Sequence, residues 1–203
     1  MLHGERFNTY THLLGFALSM LGLVLVVAKT IPGGDPGKIA GGLVFALSSV
    51  VLYAASTLFH CMRGRAKRWW QRADHCAIYL LIAGSYTPFA LALAEGIWCW
   101  APLVAVWSVS ILGAVREIKS HPSAPPLGLY IGLGWLMVAA ATPWVARMQA
   151  GGLFWLLIGA ASYTAGTVFY INRSGYRHAH GVWHLFVLAG TTSHFVAVAG
   201  YVL

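Results

Sequence analysis

The run "LLGFALSMLGLVLVVA", residues 13–28, decides the fold. Its 16 residues carry no charge and no proline. With the flanking residues it reaches the roughly 20 apolar residues that a bilayer-spanning helix needs. It is long for a signal-peptide core, and Glu5, Asn8 and His12 precede or flank it, so it is read as a retained helix. Six more segments follow the same pattern. The spans are expected at Asn8–Lys29, Ile39–Met62, Ala73–Ala94, Ile97–Val115, Leu127–Val145, Gly152–Ile171 and Gly181–Leu203. No strand pattern and no internal repeat interrupts them. Backbone groups in hydrocarbon must pair within their own segment. The chain is therefore expected to be all-α, a single polytopic domain over residues 1–203 forming a seven-helix transmembrane bundle.

Composition agrees. Only 9% of the 203 residues are charged and 59% are apolar, with a mean hydropathy of +0.70. A soluble domain carries about 25% charged residues. Nine Trp and nine Tyr suit the interfacial belts of a membrane protein. The formal charge of +8 would suggest nucleic acid for a soluble chain. Here it is read as loop charge that sets orientation, and no nucleic-acid partner is expected. Cys61, Cys76 and Cys99 form no disulfide framework.

The connectors fix the orientation. "RGRAKRWWQR" (63–72) is read as a basic loop lying on lipid headgroups, and "NRSGYRHAH" (172–180) is basic again. With the amino terminus inside, ten Lys and Arg residues fall on one side: Arg6, Arg63, Arg65, Lys67, Arg68, Arg72, Arg116, Lys119, Arg173 and Arg177. Three fall on the other: Lys29, Lys38 and Arg147. The richer side is the cytoplasmic one. The carboxyl terminus is then outside.

That orientation gathers the polar residues. His60 ends the second span, Asp74 opens the third, and His180 and His184 open the seventh, all on the cytoplasmic side. Ionisable residues within a membrane are costly and mark function. His180 and His184 are four apart, so about 6 Å and 400° of helix bring both to one face. Such a pair can bind one ion, with His60 as third ligand from a facing helix. Three protein ligands with an open fourth position is the pattern of catalytic zinc. His178 is read as a loop residue. Asp74 has two readings, helix N-cap or partner of the metal centre. Ser56 shares a helix face with His60 and has two readings, a hydroxyl bonded back to its own helix, which position alone favours, and a donor to a substrate carbonyl. Glu5, Asn8 and His12 lie on one face of the first helix and are expected to support the ligands or join helices. His194 is too far along its helix to share the ion, and His75, Cys61 and Cys76 point elsewhere.

The stretches "ERFNTYTHLLG" (5–15), "STLFH" (56–60), "DHCAIYLLIAGSYTPF" (74–89) and "HGVWHLFVLAGTTSHF" (180–195) resemble the bacterial hemolysin III family, which belongs with the progestin and adipoQ receptors. The resemblance covers nearly the whole chain. It implies seven helices in a bacterial inner membrane and a zinc ion near the cytoplasmic side. The zinc histidines of that family match His60, His180 and His184, and its serine and aspartate motif positions match Ser56 and Asp74. The related receptors are associated with hydrolysis of lipid amides such as ceramide. The expected function is zinc-dependent hydrolysis of a lipid-like amide or ester, with membrane lipid as environment and substrate. Asp74 would then handle protons. The competing expectations are a receptor or regulator with structural zinc, and a cytolytic pore. No ring of charges or long polar helix face supports the pore.

Overall fold

A computed structural model of the chain describes residues 3–93, 96–120, 126–139 and 147–203. A short 3₁₀ turn, His3–Glu5, leads into seven helices among the described residues. These are α1 (Arg6–Thr30), α2 (Pro36–Cys61), α3 (Gly64–Leu93), α4 (Ile97–Ser120), α5 (Leu127–Ala139), α6 (Ala150–Ile171) and α7 (Ala179–Tyr201). No strand occurs among the described residues. Six of the helices are long and apolar enough to cross a membrane. The fifth span was expected to run to Val145; α5 is described to Ala139, and residues 140–146 lie outside the described residues. The fold is thus the expected all-α, polytopic membrane bundle.

Local chemistry sets the helix ends. Asp35 caps α2, its Oδ1 accepting from Gly37 N at 2.8 Å and Lys38 N at 3.1 Å, with Pro36 in the first turn. Gly64 (φ +59°) makes the tight reversal from α2 into α3, a conformation that costs glycine little. Asn172 ends α6 in the left-handed region and accepts Tyr176 N on its side chain at 2.8 Å.

One sequence expectation is overturned here. "RGRAKRWWQR" is not a loop: α3 begins at Gly64 and runs through the basic stretch for 30 residues. Ala, Lys, Arg and Gln are good helix formers, and their long side chains keep charge in water while the backbone stays helical. Trp69 is exposed and Trp70 packs on the core. Asp74 therefore sits ten residues inside a continuous helix. Its N-cap reading falls, and it has no role in ending a helix.

The packing order makes a ring. α2 lies between α1 and α3, α5 touches α3 and α6, and α6 packs on α7, which returns to α1. α4 stands outside this ring against α3. Leu14, Leu21, Val24 and Leu25 are exposed along α1, as are Val104, Ile111 and Leu112 on α4. Such apolar faces suit lipid. Inside, hydroxyl groups tie the helices: Tyr53 donates to Thr191 Oγ1 at 2.9 Å, and Tyr86 to the Leu133 carbonyl at 2.6 Å.

Small residues bring α2 and α3 together. A Cβ on Gly41 would stand 2.7 Å from Pro88 Cα, and one on Gly37 would stand 2.5 Å from the Leu91 carbonyl oxygen. Both obstacles are backbone, which cannot rotate away. Gly41→Ala is therefore expected to cost about 1–3 kcal/mol, the usual cost of overpacking. Unfolding in mixed micelles measures it, and wild-type stability would refute this account of the contact.

Candidate metal centre

The three histidines expected as ligands meet at the basic end of the bundle. His60 ends α2, and His180 and His184 lie in the first turns of α7. Ring centroids are 5.2 Å apart for His60 and His180, 4.9 Å for His60 and His184, and 4.6 Å for His180 and His184. One nitrogen from each ring falls within 4.8 Å of the others. This is the only such grouping of His, Cys, Asp and Glu among the described residues. His60 and His184 are buried and His180 is half-buried.

The back of each buried ring is held. His60 Nδ1 lies 2.6 Å from Glu5 Oε2, and His60 Nε2 is buried with no hydrogen-bond partner. His184 Nδ1–H donates to the Asn8 carbonyl at 3.1 Å, and Thr11 Oγ1 lies 3.1 Å from the same nitrogen. Metal-binding imidazoles are typically fixed through their second nitrogen in this manner, by a carboxylate or a backbone carbonyl. The residues fit a zinc ion. Their donors are all imidazole nitrogens, one of them an orphan, and nitrogens on a tetrahedral zinc stand about 3.4 Å apart. Small ring rotations span that difference.

Glu5 is itself well held. Its carboxylate accepts from Lys67 Nζ at 2.8 Å and from Asn8 Nδ2 at 2.9 Å. Burial alone would raise its pKa. Hydrogen bonds from Lys67, His60 and Asn8 outweigh that and hold it at about 2, so Glu5 is an anion throughout the physiological range. Of the three residues expected to support the ligands, Glu5 does so by its side chain and Asn8 by its carbonyl. His12 does neither. It stacks on His184 with centroids 3.6 Å apart.

Beside the histidine cluster lies a cavity of ≈ 230 Å³, walled by every helix of the ring and by none of the described residues of α4. Asp74 and Ser56 are both in its wall, as are His180 and His184. Ser56 Oγ is buried without a partner in hydrogen-bond geometry, with the Asp74 carboxyl close enough to interact with it. His75 is half-turned to the same cavity, and its Nδ1 lies 3.2 Å from buried Glu117 Oε2 on α4. His194 reaches the cavity further along α7. As expected, neither residue joins the metal group. Cys76 Sγ turns to the Ala114 carbonyl, and Cys61 and Cys76 are free thiols.

Sequence reasoning missed Thr11 and Lys67. Thr11 is three residues past Asn8, on the helix face already singled out, so spacing held the signal. Lys67 was hidden by reading its segment as a loop. As the fourth residue of α3 it comes back over the end of α2, above the Phe59 ring at 4.7 Å.

The comparisons agree with this architecture. The chain is 36% identical over 200 residues to the hemolysin-3 homolog of Bacillus subtilis, covering 97% of this chain and 93% of that protein. It is 34% identical over 204 residues to hemolysin-3 of Bacillus cereus, covering 98% and 92%. It is more distantly similar to the adiponectin receptor protein of Drosophila melanogaster, 28% identical over 229 residues, spanning 98% of this chain and 50% of the receptor. The model of the haemolysin-III related family matches residues 1–195, and the chain belongs to that family of multi-pass membrane proteins.

Proposed function

We propose that the protein is a zinc-dependent hydrolase that cleaves an amide or ester bond of a lipid drawn from the surrounding bilayer. The observation that carries this reading is the cavity. It places two of the three clustered histidines, a carboxyl group and an unpartnered hydroxyl on the wall of one mostly apolar space. Histidines that only joined helices would not need such a space beside them.

His60, His180 and His184 would hold the ion. A zinc ion held there would supply Lewis acidity, making water a stronger acid and nucleophile near neutral pH. Asp74 accepts a proton from the attacking water and returns it to the leaving group. Ser56 Oγ–H, beside the Asp74 carboxyl, donates to the carbonyl oxygen as charge develops on it. Glu5 keeps His60 turned toward the centre. The ten-to-three charge bias supports a cytoplasmic position for this end of the bundle, and the membrane proposed for it is a bacterial inner membrane.

Elemental analysis of the purified protein, followed by assay on neutral lipid amides and esters, tests the reading. A protein with one zinc per chain that cleaves none of them would instead be a regulator, or a receptor as the fly relative is named, with structural metal. Glu5 offers a separate check. Glu5→Gln keeps the shape but loses the anion behind His60, and should weaken zinc affinity about 10- to 100-fold in a chelator competition. Unchanged affinity would remove Glu5 from the site.

A further inference from the structure

His12 has no part in the chemistry above. It is 3% exposed, and neither Nδ1 nor Nε2 has a hydrogen-bond partner. Its ring lies nearly parallel to His184, 17° between planes, and edge-on to Tyr53 at 5.1 Å. Imidazole lone pairs lie in the ring plane. Two stacked rings keep theirs in separate planes, so His12 cannot aim at the ion that His184 would bind. A buried polar group without a partner is costly, and the cost is accepted where something binds. The His12 ring forms part of the cavity wall, which it shares with the equally unpartnered Ser56 hydroxyl.

The wall also constrains what enters. Among its described residues there is no Lys and no Arg, while Asp74 contributes a carboxyl. Away from the metal, a phosphate headgroup would meet no cationic side chain in this wall and would lie beside an acid. A neutral imidazole donates from one nitrogen and accepts at the other. Its complement is a neutral group with the same two abilities, a hydroxyl or an amide.

We infer that His12 is an anchor for the polar group of a neutral lipid, holding that group while Ser56 meets the carbonyl. This takes from the hydrolase reading the premise that the cavity receives the lipid. The test is binding, so it does not need turnover. Full-length, zinc-loaded protein in nanodiscs is titrated with a long-chain N-acylethanolamine, its O-methyl ether and its O-phosphate. The wild type should bind the neutral lipids in preference to the phosphate. His12→Phe keeps a ring to stack on His184 but has no nitrogen, and should bind the N-acylethanolamine about tenfold more weakly, the loss of one hydrogen bond. His12→Gln, which regains a donor and an acceptor, should recover most of it. If the O-methyl ether already binds the wild type tenfold worse, the anchored group is the hydroxyl. If His12→Phe weakens both neutral lipids alike, it is the amide. Wild-type affinities in His12→Phe would overturn the proposal, as would loss of zinc from that variant or tightest wild-type binding of the phosphate. Weakened binding in a protein that cleaves nothing would leave the anchor standing and remove the hydrolase.

Discussion

Replacing His180 by alanine should empty the metal centre while leaving the bundle folded. His180 is the half-buried member of the three and the one with no hydrogen bond behind it among the described contacts. Its removal breaks no side-chain hydrogen bond among the described contacts; it gives up ring contacts with His60 and Tyr170 together with a ligand. A site reduced to His60 and His184 lacks the third protein donor that zinc sites retain. Zinc content should fall from about one per chain to near zero at micromolar protein, a loss of affinity beyond about 100-fold. His178→Ala is the control. His178 precedes α7, and among the described contacts its ring meets only Phe7, edge-on at 5.9 Å, so its variant should keep full metal. Near-zero zinc in the wild type would sink every zinc-based reading of this chain.

That experiment checks three histidines whose meeting was legible from run length, charge and spacing together. Apolar run length placed the helices, because lipid permits little else. Charge then placed their ends, and the ends brought His60, His180 and His184 to one depth. Spacing put Glu5 and Asn8 on the right face of the first helix, but it did not give the way each acts. Glu5 reaches His60 from a 3₁₀ turn outside any span, and Asn8, whose side chain holds Glu5, meets His184 through its backbone carbonyl, which no residue type announces. The α3 boundary was misread for a related reason. The rule that found the spans looks for apolar residues, so it stopped where Arg and Lys began, although the backbone stayed helical to Gly64. Lys67 was lost with it. His12 was legible as a polar residue facing inward, but only the stack on His184 separates a ligand's supporter from a residue that waits for another partner.

Asp74→Asn separates catalysis from metal binding, and α3 is what makes the test clean. Asp74 is no helix cap, so the amide removes no terminal hydrogen bond. It stands outside the grouping of three nitrogens, so zinc should remain at wild-type stoichiometry. Asparagine has nearly the same volume and leaves the cavity wall in place. It cannot take a proton from water. On a lipid amide that the wild type cleaves, turnover should fall about 100- to 10,000-fold, the contribution of a positioned general base, with little change in KM. Ser56→Ala should act more weakly, because it removes one donor to the carbonyl oxygen and leaves proton transfer intact. An Asp74→Asn protein that turns over at the wild-type rate would show that the acid is only a wall residue. One that loses zinc would make Asp74 part of the metal's support. If turnover collapses while zinc stays, the carboxyl is acting on the water, and the histidine cluster serves a reaction rather than a fold.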